Sequence, residues 1–236
     1  MSADERKALL GELSQGIKLA FENAEQLFHE GVVLKDGRCF ARAYFCHQIS
    51  LEECGKIEII GVWMTNLFLG GKVNLLKMTK AFRSHAAKNY SNAYYATLTP
   101  EEAEAAQKGD VKQALAAFEA FQRKFHEELN DAKNASLYVD YYDGGFFAPS
   151  ALVNEDAVTG IAAVNYHFLT ITSPKVRVAA RMASDDGLYH AALQGFGERL
   201  RQLAAENPTS PAAAFDALLD EMLAKYQEAA KNTNTK

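Results

Sequence analysis

From residue 3 to residue 30 the apolar positions recur every three or four residues. Leu9, Leu10, Leu13, Ile17, Ala20, Ala24 and Leu27 fall on one stripe, which predicts an amphipathic helix over 3–30. Gly31 and Lys35-Asp36-Gly37 predict the turn that ends it. A second helix is expected over about 38–69, broken by Gly70-Gly71, and a third over about 73–95. Leu98-Thr99-Pro100-Glu101-Glu102 reads as a helix start, with Thr99 as cap, Pro100 at the first helical position and acids in the first turn. After an interruption at Lys108-Gly109-Asp110, a further helix continues to about residue 135. Residues 137–154, LYVDYYDGGFFAPSALVN, lack any helical period and are rich in aromatics. They predict an ordered, irregular loop with a short strand at 137–141, its five aromatics packed down on the bundle. Helices are then expected over 155–171, over a broken segment 174–203, and over 211–231. Asn207-Pro208-Thr209-Ser210-Pro211 opens the last of these, and a frayed tail closes the chain. The fold class is all-α, a helical bundle forming a single domain over 1–236.

The second helix poses a problem. Its middle, LEECGK (residues 51–56), carries two carboxylates, a glycine and a lysine inside the most apolar part of the chain. At about 100° per residue, with Arg42 as zero, Ile49 falls near about −20°, Glu53 near about +20° and Lys56 near about −40°. Phe45, Cys46, Ile60, Trp63 and Leu67 share that stripe, so Arg42, Glu53 and Lys56 are expected to face the core. Glu52 would lie at its edge, with His47 and Leu51 turned away. An ion on a core face must be paired, hydrogen-bonded or set in a wet cavity. Gly55 would let another backbone approach. The bland reading is an ion-pair network tying two helices together; the sharper one is a polar site.

Charge and cysteine usage narrow the classes. A net charge of −5 argues against general binding of polyanions. Yet no acid occurs between Glu58 and Glu101, where Lys72, Lys77, Lys80, Arg83 and Lys88 stand with Tyr90, Tyr94 and Tyr95. Met78, Phe82, His85 and Asn89 share one face there, so a basic, tyrosine-rich helix could hold phosphate. Cys39, Cys46 and Cys54 make an odd set with no CxxC spacing, as expected of reduced thiols in the cytoplasm. The apolar run 57–69 is too short to span a bilayer, and the charged amino-terminal segment has no secretory signal. No Glu-x-x-His pair and no phosphate-binding glycine loop is present, so no metal or cofactor is expected.

Three elements in order carry a resemblance: Arg42-Ala43 with Leu51-Glu52-Glu53-Cys54-Gly55-Lys56, then Ser84-His85-Ala86-Ala87-Lys88, then Leu137-Tyr138-Val139-Asp140 before a glycine loop and Pro149. Together they resemble the AbiV family of abortive-infection proteins, over about 5–170. Residues 171–232 read as a helical extension outside the resemblance. It implies a bacterial phage-defence protein of HEPN-like helical fold, with a polar site of Glu52, Glu53, Lys56, His85 and Lys88 closed over by Tyr138 and Asp140. HEPN-type ribonucleases are metal-independent and use an arginine and a histidine four to six residues apart, usually across a homodimer. Arg42 and His47 meet that spacing, but five residues turn a helix through about 140°, which separates them.

Two functional classes follow. In one, His85 with Glu53 or Glu52 moves protons on RNA while Arg42, Lys56 or Lys88 clamps phosphate. In the other, the cluster only staples helices of a non-catalytic protein that senses a phage protein or occupies the translation machinery.

Overall fold

The computed structural model describes residues 1–96, 98–184 and 187–206, together with Leu218 and Glu221. Among the described residues there are nine helices and one two-stranded sheet. α1 (Ala3–Asp36) begins at a capping box in which Ser2 and Glu5 satisfy each other's backbone N–H. It does not turn at Gly31. A Cβ there would lie 2.7 Å from the His47 ring, so this glycine makes room for a neighbour inside a continuous helix. The helix ends at Gly37, and Arg38 takes a positive φ of 58°.

α2 (Phe40–Phe68) runs through the middle of the bundle, touching α1 and the later helices α4 (His85–Ala93), α6 (Val111–Leu137) and α8 (Glu155–Ala183). It is buried nearly all round, and this overturns the one-stripe reading. His47 and Leu51, expected to point away, are 0% and 1% exposed, whereas Arg42 is exposed and donates from Nη1 to the Leu137 carbonyl. Leu51 and Cys54 pack with Ala24, Ile161 and Phe168 in the core between α1, α2 and α8. Each large apolar side chain so buried contributes about 1.5–3 kcal/mol.

The expected third helix is two: α3 (Leu75–Arg83) and α4 (His85–Ala93). Ser84 divides them, its backbone extended and its hydroxyl accepting from the Ala87 N–H, so it ends one helix and caps the next. His85 thereby becomes the first residue of α4. α5 (Pro100–Gln107) starts on the predicted Thr99 cap, which forms a capping box with Glu102, and α6 (Val111–Leu137) starts on Asp110 after Gly109 at φ 68°.

The aromatic segment is a hairpin, β1 (Asp140–Tyr142) paired antiparallel with β2 (Gly145–Phe147), and then the short α7 (Pro149–Leu152). Asp143 and Gly144 both adopt positive φ, as a two-residue hairpin turn requires. The expectation that its aromatics pack down fails for three of them. Tyr138, Tyr141 and Phe146 are all exposed, and Tyr141 contacts its cross-strand partner Phe146 at 5.0 Å between ring centroids. α8 (Glu155–Ala183) passes through Pro174 without breaking, held along its length by α1 and α2. Pro174 is exposed, and so is Thr170, whose carbonyl loses its helical donor there and can bond to water.

Contacts divide the chain into two compact units, 1–184 and 185–236. In the second, α9 (Gly187–Glu206) packs Phe196 and Leu203 against Leu218, and Arg199 donates to Glu221. Apart from Leu218 and Glu221, the helix expected over 211–231, its opening NPTSP and the carboxy-terminal tail lie outside the described residues. Among the described residues no helix is long and apolar enough to cross a membrane.

Candidate functional site

The close approach of two helices builds the site. At Gly55 of α2, an added Cβ would lie 2.6 Å from the Lys88 carbonyl oxygen and 3.0 Å from the Lys88 Cα. Only glycine lets the backbone of α4 come this near. α4 then turns Lys88, Asn89, Asn92 and Ala93 inward, a face with helical spacing that is almost entirely polar. Asn92 donates to the Leu51 carbonyl at 2.7 Å, and Asn89 meets His126 of α6 at 3.2 Å.

Glu52 stands at the centre, with its side chain 2% exposed. Its Oε2 lies 2.6 Å from both Lys88 Nζ and His85 Nδ1, and its Oε1 lies 3.5 Å from Lys133 Nζ of α6. Burial alone would raise the Glu52 carboxyl pKa. Lys88, by hydrogen bond and charge, and then His85 more than offset it, leaving the pKa below its ordinary value. One carboxylate faces two buried lysines, so the cluster carries an excess of positive charge before His85 is counted.

His85 is the member that meets solvent. Its side chain is 49% exposed while Nδ1 stays on the carboxylate. An ionised carboxylate can only accept, so Nδ1 carries the proton. In the neutral ring Nε2 is then the basic nitrogen, and its orientation is fixed by Glu52. A buried acid that sets the tautomer of a half-exposed histidine is an arrangement for proton transfer.

The other expected residues divide. Glu53 is not joined to His85: it pairs with Lys56 on its own helix at 2.5 Å, three residues on. Lys88 is in the cluster. Arg42 holds the end of α6 through Leu137, Asp140 accepts from the Tyr141 N–H of its own hairpin, and Tyr138 is exposed. Arg42 and His47 form no pair. His47 is sealed between α1 and α8, where Asn165 donates from Nδ2 to His47 Nδ1, since an amide nitrogen can only donate. Burial, and then Lys35, push the His47 pKa down to about 4, so it stays neutral in the core. Cys54 is likewise inert, its thiol pushed up to about 12 by burial.

Lys133, Asn89, Asn92 and His126 were not anticipated. A signal existed for two of them. His126, Leu129, Lys133 and Ser136 recur at helical spacing, which places a histidine and a lysine on the inner face of α6.

The fold is that of an all-α, HEPN-like helical domain. Residues 12–170 match the AbiV family, and the chain belongs to that family. It is also similar to the uncharacterized protein y4gJ of Sinorhizobium fredii, at 41% identity over 93 residues, which is 39% of this chain and 48% of that protein. The chain thus spans about half the length of the curated relative it matches. No solved structure matches it.

Proposed function

We propose that this protein protects its cell from phage by abortive infection, with His85 as the group that transfers protons during metal-independent cleavage of RNA. One observation carries the reading: the buried Glu52 carboxylate holds Nδ1 of an imidazole whose other face is open to solvent. The excess positive charge of Lys88 and Lys133 behind it favours an anionic substrate such as a phosphodiester.

Phage plating with His85→Ala and His85→Gln tests it, alongside thermal melts. Because the ring is half exposed, both variants should fold as the parent does and lose protection. With the purified protein and RNA in EDTA, cleavage should fall by about 10²–10⁴-fold, the usual share of a general acid or base. Full protection by a folded His85→Ala variant overturns the assignment. Arg42→Ala should keep protection, since Arg42 and His47 do not meet.

A second reading rests on the hairpin. Tyr138, Val139, Tyr141 and Phe146 are 59–78% exposed, an apolar patch of the kind that marks protein-binding surfaces. Here the protein senses a phage protein or occupies a translation component, and the Glu52 cluster only staples helices. A Tyr141→Ala/Phe146→Ser variant then abolishes protection with an unchanged melting temperature, while His85→Ala retains it.

A further inference from the structure

A cavity of about 500 Å³ opens between α1, α2 and α8 and shares no lining residue with the Glu52 cluster. Its floor is apolar and well buried: Ile17, Ile57, Met64, Ala179 and Met182 are each 4% exposed or less. Val62 and Val178 stand at its mouth, 70% and 45% exposed. Gly61 lines it as well, and a Cβ added there would meet nothing within 4 Å. The volume falls in the range of small-molecule sites, which are concave, mostly apolar and oriented by a few polar groups.

The polar end decides what fits. Glu58 and Lys175 form an ion pair there, joined by the Tyr95 hydroxyl. Both Glu58 oxygens are taken, Oε1 by Lys175 and Oε2 by the Tyr95 hydroxyl at 2.6 Å. The Lys175 ammonium has three protons, of which one goes to Glu58 and one to the Tyr95 oxygen. The ammonium also lies over the Tyr95 ring, 4.1 Å from its centroid, and the Lys175 side chain is 32% exposed against 16% for Glu58. The member of the pair that a ligand reaches more readily is therefore the donor. A cationic head would have to reach the less exposed Glu58, the only carboxylate of the lining, whereas an anionic head meets the more exposed ammonium.

We infer that this cavity binds an acyl-chain carboxylate, a medium-chain fatty acid, with its chain among Ile17, Met64 and Met182 and its carboxylate on Lys175. The site is independent of proton transfer at His85.

The test uses the full chain carrying methyl-labelled methionine, titrated with decanoate, decanol and decylamine below their micellar concentrations. The Met64 and Met182 methyl signals should move while Met78, on α3, stays. Decanoate should bind about tenfold tighter than decanol, the worth of one charge-assisted hydrogen bond, and decylamine weakest of the three. Glu58→Gln combined with Lys175→Met removes both charges together and should erase the head-group preference while keeping chain binding. Gly61→Leu should fill the cavity and abolish the shifts, and Thr65→Leu, at another lining position, serves if that variant fails to fold. His85→Ala should bind as the parent does. The inference is overturned by unmoved Met64 and Met182 signals, by decylamine binding as tightly as decanoate, or by undiminished binding in a folded cavity-filled variant.

Discussion

Glu52→Gln is expected to lower the melting temperature at neutral pH by on the order of 10 °C. The substitution nearly preserves shape, so the loss is electrostatic. It leaves Lys88 and Lys133, 6% and 7% exposed, without the one anion that faces them both. Breaking a buried ion pair from one side costs about 3–5 kcal/mol, because the surviving charge stays out of water uncompensated. For a chain of this length each kcal/mol shifts the midpoint by about 2–4 °C. Adding Lys88→Met should recover much of the loss, since it removes one stranded charge along with its partner. The pH dependence has a definite sign. Glu52 has a folded-state pKa below its ordinary 4.5, so its contribution is fully present above that value and is lost as the pH falls through the folded pKa. The gap between parent and variant should therefore be widest near neutrality and close in acid. A gap that is small at neutral pH, or that does not close in acid, would show that the cluster contributes little to folding.

The same residues show how far the sequence could be read. The periodic pattern located α1, α2, α5 and α6, because amphipathic stripes and caps are local properties. It mistook α2 for a helix with one buried face. Periodicity records which positions are apolar, whereas α2 is covered on several sides and buries polar residues as well. Hence Glu52, expected at the edge of a stripe, is the centre, while Glu53 is buried as expected but pairs with Lys56 rather than with His85. The break expected between 171 and 174 does not occur: Pro174 removes one N–H, yet packing on α1 and α2 outweighs one lost hydrogen bond at an exposed turn. Ser84, part of the second motif, signals no helix boundary for the opposite reason. A serine inside a periodic run is weak punctuation until its hydroxyl is seen capping the following helix. Lys133 reaches Glu52 from 81 positions away in the chain, and no local pattern brings those two together.

Two glycines six residues apart in α2 should answer alanine with opposite signs. Alanine is the better helix former by about 1 kcal/mol, so any Gly→Ala change inside a helix begins with that gain. At Gly61 nothing stands within 4 Å of the new methyl, and the gain should survive as a melting temperature a few degrees higher. At Gly55 the methyl would sit 2.6 Å from the Lys88 carbonyl oxygen and 3.0 Å from two further backbone atoms. Backbone cannot rotate aside as a side-chain tip can, so α4 must move away from α2. That overpacking costs about 1–3 kcal/mol, enough to cancel the propensity gain or exceed it. It also draws Lys88 and His85, on the same short helix, off the Glu52 carboxylate, so the electrostatic loss is added. Gly55→Ala should accordingly melt well below the parent and lose protection, while Gly61→Ala melts above it and protects as well. Measuring the two side by side separates helix propensity from helix approach. Equal stabilisation by both would mean that α2 and α4 do not meet at Lys88, and the carboxylate would then have no wall to be buried against.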